Sequence, residues 1–218
     1  MREVTAYTWV PDFAQGFVKD LRVRWALEEA GLPYTERLID HQQKLQPDHL
    51  ARQPFAQVPV YRDDEGELFE SGAIVLHIAE GSPALMPAEA AARARVTSWA
   101  FAALNSIEPH VANVTGTQLF HGEAPWAEGY LESARAMMNA RLKQLSRWLK
   151  GKDYLEAERF TAADLLMASV LREIERDGGF ERFPDLAAYC ERCTARPAFT
   201  RALEAQLKVF AAHEPAPV

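Results

Sequence analysis

The chain has 218 residues, 48% of them hydrophobic and 25% charged, enough apolar material for one large or two small domains. Its 24 Lys and Arg stand against 31 Asp and Glu, a net charge of -7 that argues against a nucleic-acid partner. No apolar run reaches the roughly 18 to 20 residues of a membrane span, the N-terminus lacks a signal-peptide pattern, and the two cysteines, Cys190 and Cys193, are too few for a disulfide framework. A soluble, cytoplasmic protein with no membrane partner is expected.

In chain order, Val4–Trp9 reads as a strand whose alternation sets Thr5, Tyr7 and Trp9 on one face. Lys19–Ala30 reads as a helix with Val23, Ala26, Leu27 and Ala30 on its apolar side, stopped by Gly31 and Pro33. Tyr34–Ile39 is the next strand and Asp48–Arg52 a short helical turn. Val58–Arg62 and Glu67–Phe69 form a hairpin through Asp63–Gly66, and Ser71–Glu80 returns to helix. The pattern over residues 1–80 is thus βαβαββα, an α/β domain. Gly81, Ser82, Pro83 and Pro87 place a linker at 81–92. Over 93–218 strand signals vanish, and apolar residues recur at three-to-four spacing, as in Val96, Ala100, Ala103, Leu104, Ile107 and Val111, so an all-helical domain is expected. The tail Glu214–Val218, with two prolines, is expected to fray.

Several local patterns bear on chemistry, each with a plainer structural reading beside it. In Gln57-Val58-Pro59 the proline drives Val58 extended, with its N–H and C=O able to pair with a peptide-like ligand; a Val-Pro ahead of a strand also serves as an ordinary turn. Glu70-Ser71 closes a strand and opens a helix. Ser71 as a cap among unpaired N–H groups suits a carboxylate and Glu70 suits an ammonium, unless the pair is only a surface cap. Phe160-Thr161-Ala162-Ala163-Asp164 is a structural capping box, with Phe160 and Leu165 as its staple. Cys190-Glu191-Arg192-Cys193 has redox spacing but falls on a helix, and the six histidines are scattered, so no metal is expected. Trp25, Trp99 and Trp148 fall at helical packing positions.

Taken in order, Gln57-Val58-Pro59, Glu70-Ser71-Gly72-Ala73-Ile74, Phe160 to Asp164 and Arg196-Pro197-Ala198-Phe199 resemble the cytosolic glutathione transferase family, including its bacterial members. Leu21–Tyr34 is similar to that family's first helix and second strand. The resemblance implies a thioredoxin-like N-terminal domain, an all-α C-terminal domain and a homodimer. It also implies glutathione as co-substrate, with no metal. Val58 would hold the cysteinyl backbone ahead of a cis-Pro59, Glu70 and Ser71 the γ-glutamyl end, and Lys44 and Gln57 the glycyl side.

Counting back from Arg22 and Arg24, the position of the family's thiol-activating Ser or Cys falls at Phe17 to Lys19, where no hydroxyl or thiol stands. Gln15-Gly16 with Arg22 beyond is similar instead to members in which a Tyr at the end of the first strand donates to the sulfur. That implies Tyr7 as the catalytic donor, with Thr8, Gln15 or loop N–H groups as alternatives. Trp9, Phe13, Phe101, Asn105 and Phe120 are expected to wall an electrophile pocket between the domains. The activity implied is conjugation of the glutathione thiolate to small apolar electrophiles, a detoxification chemistry. The alternative is a non-catalytic relative that carries ligands or regulates another protein.

Overall fold

The computed structural model describes residues 1–215, the side chains at positions 176 and 177 excepted. Its first elements are β1 (Glu3–Tyr7), α1 (Asp20–Ala30), β2 (Thr35–Ile39), α2 (Pro47–Leu50), β3 (Val60–Arg62), β4 (Glu67–Phe69) and α3 (Ser71–Glu80). The sheet order is β2-β1-β3-β4. β1 runs parallel to β2 through the α1 crossover, while β3 is antiparallel to both β1 and β4. This is the expected thioredoxin-like α/β arrangement. The strand ends differ from expectation for local reasons. β1 stops at Tyr7, although the Thr8 N–H still donates to Ile39 O at 2.9 Å. β3 opens at Val60, one residue after a proline that has no N–H for the ladder. α2 starts at Pro47, a residue suited to a first helical position.

α1 ends where Gly31 takes φ 66°, a left-handed conformation open to glycine, and the Leu32 N–H reaches back to Leu27 O at 2.9 Å. The helix buries Leu21, Val23, Trp25, Ala26 and Leu27 against α3 and α9 (Pro197–Ala212). Trp25 meets Phe199 edge to face at 4.8 Å, and Arg196 grips Glu29 with two bonds of 2.6 and 2.8 Å. Accordingly the chain divides into two compact units. Residues Met1–Leu85 join the segment that begins at Arg196, and Met86–Ala195 form the second. α9 therefore packs with the sheet domain, which departs from the expected division into 1–80, 81–92 and 93–218. Of the tail Glu214–Val218, positions 216–218 lie outside the described residues.

The second unit is helical, with α4 (Ala90–Ala102), α5 (Glu108–His121), α6 (Ala127–Leu149), α7 (Ala162–Leu171) and α8 (Pro184–Thr194). α4 opens inside the expected linker because Glu89 caps it, accepting from the Ala91 and Ala92 N–H groups. The apolar run from Val96 to Val111 is interrupted by a π-helical segment, Ala103–Ile107. Pro109 has no N–H to offer the carbonyl of Asn105, so a regular helix cannot run through. The capping box is present: Asp164 accepts from the Thr161 N–H and hydroxyl, and from the Leu155 N–H and Tyr189 hydroxyl. Trp25 is core, whereas Trp148 is 41% exposed, pairs with Trp99 at 5.0 Å and carries Lys152 over its ring. Among the described residues no helix is long and apolar enough to cross a membrane.

Candidate functional site

The Val58-Pro59 bond is cis, and both residues are buried ahead of β3. Among the described residues neither the N–H nor the C=O of Val58 has a backbone partner, since ladder pairing starts at Val60 opposite Phe69. Two residues that sequence reasoning missed shape the approach. His49 Nε2 lies 2.8 Å from Gln57 O and must donate there, because a carbonyl oxygen only accepts. Gln53 Oε1 accepts from the Phe55 and Gln57 N–H groups at 2.6 and 3.2 Å. Both side chains are 2% exposed. The backbone of Gln57 is thereby fixed on both sides while its side chain stays in solvent. The available signal was the polar pair itself, two strong hydrogen-bonding residues in a segment otherwise read as a turn.

Glu70, rather than Ser71, occupies the N-cap position of α3. Its backbone has φ 69° and ψ 111°, a conformation that costs a non-glycine residue, and its exposed carboxylate makes no capping bond. Ser71 is instead the first helical residue. It is buried, and its Oγ accepts from Arg22 Nη1 at 3.3 Å. The two side chains thus differ in setting, a carboxylate turned to solvent and a hydroxyl beside a guanidinium, at a helix start whose first N–H groups have no intrahelical acceptor.

Tyr7 ends β1 with its ring stacked on His41 at 4.6 Å and Lys44 Nζ 5.8 Å from the ring centre. It is half-buried and packs, with Trp9 and Val18, on Val10, Val209 and Phe210. Burial first, and then the charge of Asp20, push its hydroxyl above the ordinary phenol range, so the group stays protonated at neutral pH. Thr5, expected on the same face, is fully buried. Phe13 stands 45% exposed in the short turn Asp12–Ala14. In the second unit Phe101 and Asn105 are exposed one turn apart, and Phe120 is 66% exposed near the end of α5.

Cys190 and Cys193 are free thiols buried on α8. Burial, then the charge of Glu175, pushes Cys190 up to about 12, and burial raises Cys193 further, so both are protonated and poorly nucleophilic. Among the described residues no three His, Cys, Asp or Glu side chains gather as metal ligands.

A thioredoxin-like sheet followed by a helical unit places the chain in a two-domain class. The family model of the glutathione S-transferase N-terminal domain matches residues 13–80, and that of the C-terminal domain matches 114–197. The chain is 32% identical over 205 residues to glutathione S-transferase 3 of Zea mays, covering 85% of this chain and 88% of that one. It is 29% identical over 188 residues to glutathione S-transferase GstA of Escherichia coli O157:H7, covering 83% and 90%. Among solved structures, a glutathione transferase family member from Pseudomonas fluorescens, with two glutathione bound, aligns with a TM-score of 0.80 at 26% identity, over 93% of this chain and 92% of that one. The chain belongs to the glutathione S-transferase family.

Proposed function

We propose that the protein is a glutathione transferase that joins the glutathione thiolate to small apolar electrophiles. The observation that carries this reading is that the N–H and C=O of Val58 have no backbone partner among the described residues, in the same unit as the helix start at Glu70 and Ser71. Val58 would pair with the cysteinyl backbone of the tripeptide. Glu70 would take its ammonium, Ser71 and the first N–H groups of α3 its γ-glutamyl carboxylate, and Lys44 and Gln57 its glycyl end. The relative solved with glutathione bound supports the ligand.

A thiol near pKa 8.5 is only about 3% ionised at pH 7, and a lowering of two units makes it roughly three-quarters thiolate. Tyr7, protonated at that pH, is the side-chain donor we assign to the sulfur. The thiol proton leaves to water, the sulfur lone pair forms the new bond to an electrophilic carbon, and the leaving group departs with its electron pair. Trp9 and Phe13 offer apolar surface beside the same loop. We further propose a homodimer, supported by large exposed apolar side chains such as Phe55 at 64% and Trp126 at 52%. Sedimentation should then report about twice the 24.5 kDa monomer.

Retention on immobilised glutathione, elution by free glutathione, and turnover of an activated aryl chloride to its thioether test the activity. Failure to be retained overturns the reading. Retention without turnover of any electrophile selects the non-catalytic carrier instead.

A further inference from the structure

The loop between β1 and α1 carries no hydroxyl or thiol from Val10 to Lys19, so the donors that this stretch can bring to a sulfur are mostly main-chain N–H groups. What fixes that loop comes from the far end of the chain. α9 buries Phe199, Ala202, Val209 and Phe210 along an apolar stripe, and in the middle of that stripe stands Gln206, with no exposed surface. Its Oε1 accepts the Gly16 N–H at 3.1 Å. Its Nε2 donates to Val18 O at 3.3 Å and to Asp20 Oδ1 at 2.8 Å. Both amide hydrogens and the amide oxygen are therefore engaged.

The bond to Gly16 holds the peptide plane between residues 15 and 16, and the bond to Val18 O holds the plane between 18 and 19. Gly16 takes φ 77°, which favours glycine at this turn. Two peptides lie between these clamped planes: the first has its Phe17 N–H bonded to Ala14 O at 3.0 Å, and the second carries the Val18 N–H, which has no hydrogen-bond partner among the described residues. One turn further along α1, Arg22 touches Ser71, so the loop lies at the end of α1 nearest the proposed glutathione contacts.

Asp20 explains why the clamp is a neutral amide. Its carboxylate is fully buried and bonded by Arg24 Nε at 2.7 Å as well as by Gln206. A carboxylate at position 206 would set a second negative charge against it.

Resting on the transferase reading above, we propose that Gln206 is a positioning residue: by clamping the loop on both sides it aims the Val18 N–H at the glutathione sulfur. Tyr7 and the Val18 N–H then share the negative charge that develops there.

The test uses the full-length protein with Gln206→Met, which keeps volume and removes the amide, and Gln206→Glu, which keeps shape and reverses the sense of the Asp20 contact. Two quantities are read. One is the apparent pKa of bound glutathione, from thiolate absorbance against pH. The other is glutathione affinity by calorimetry at a pH where the thiol is protonated. The expected result is a rise of about one unit in the thiol pKa, which takes the thiolate at pH 7 from roughly three-quarters to about one-quarter, in both variants. Affinity for the protonated ligand should stay within about twofold, because the backbone and carboxylate contacts lie elsewhere. An unchanged thiol pKa with binding intact makes the clamp merely structural and overturns the proposal. Loss of affinity to the same extent at every pH overturns it as well. If Gln206→Met loses its circular-dichroism signature, Gln206→Glu decides the matter by the same criterion. Wild-type protein that binds no glutathione sinks the transferase reading first, and the positioning role falls with it.

Discussion

Arg22 on α1 donates to the Oγ of Ser71 at the first residue of α3, across 3.3 Å in a buried setting. The hydroxyl proposed to meet a ligand carboxylate is therefore backed by a cation on the neighbouring helix, and its oxygen lone pair is engaged while its hydrogen remains to be given. Ser71→Ala should weaken glutathione binding by about 1.5 to 3 kcal/mol, roughly ten- to a hundredfold in dissociation constant, because it removes a hydrogen bond to a charged group. Calorimetric titration measures this directly. Equal dissociation constants would remove Ser71 from the site.

Glu70 holds φ 69° immediately before α3. Such a conformation costs a non-glycine residue on the order of 1 to 3 kcal/mol, and glycine escapes most of that cost while losing roughly 0.5 to 1 kcal/mol in chain entropy. Glu70→Gly should accordingly raise the melting temperature and at the same time weaken glutathione binding, since the carboxylate makes no capping bond that the fold would miss. Opposite signs in the two measurements are the signature of a residue kept for its ligand. A variant that melts lower, or binds as well as wild type, would contradict this.

The elements legible in the sequence are those decided by near neighbours. Gly31 ends α1 where a left-handed residue is needed, the hairpin follows Asp63–Gly66, and Thr161 with Asp164 starts α7, each read from a window of a few residues. Val58-Pro59 and Glu70-Ser71 are legible as a candidate site because the groups proposed to meet glutathione there are adjacent in sequence. The rest depends on distant partners. Nothing near Gln206 announces that it bonds Gly16, 190 residues away, beyond the oddity of an amide on an apolar stripe. α9 reads as one more helix of the second half, yet packing of Phe199 on Trp25 assigns it to the first unit. Strand alternation put Thr5, Tyr7 and Trp9 on one face. Burial distinguishes them, since Thr5 is enclosed while Tyr7, the last ladder residue of β1, is half-buried and stacks on His41.

Tyr7→Phe removes the hydroxyl and keeps the ring that packs on His41 and on the Val10, Val209 and Phe210 cluster. The fold should be undisturbed, and the apparent pKa of bound glutathione should rise by about one unit if the phenol donates to the sulfur. The phenol itself stays protonated throughout the titration, because burial and the Asp20 charge raise it above its ordinary value. The absorbance change therefore reports the thiol alone. An unchanged value would transfer the whole role to the loop N–H groups.

The two cysteines give a prediction about stability against pH. Burial, then Glu175, raises the Cys190 thiol to about 12 in the folded protein, while an unfolded cysteine ionises near about 8.5. Above the lower value the unfolded chain releases a proton that the folded chain keeps, so the unfolded state is favoured and stability falls as pH rises. Each such thiol contributes a slope of up to about 1.4 kcal/mol per pH unit between the two values. Cys190→Ser removes one of them. Urea unfolding at about pH 7 and about pH 10 should show wild type losing more stability than the variant, by roughly 2 kcal/mol, with the other titrating groups cancelling in the difference. Glutathione-dependent activity at neutral pH should be retained, since the protonated thiol on α8 has no part in the proposed chemistry. Parallel pH dependences in the two proteins would mean that Cys190 is less buried than its 4% exposure implies, and loss of activity with the fold intact would reopen a redox role for the pair.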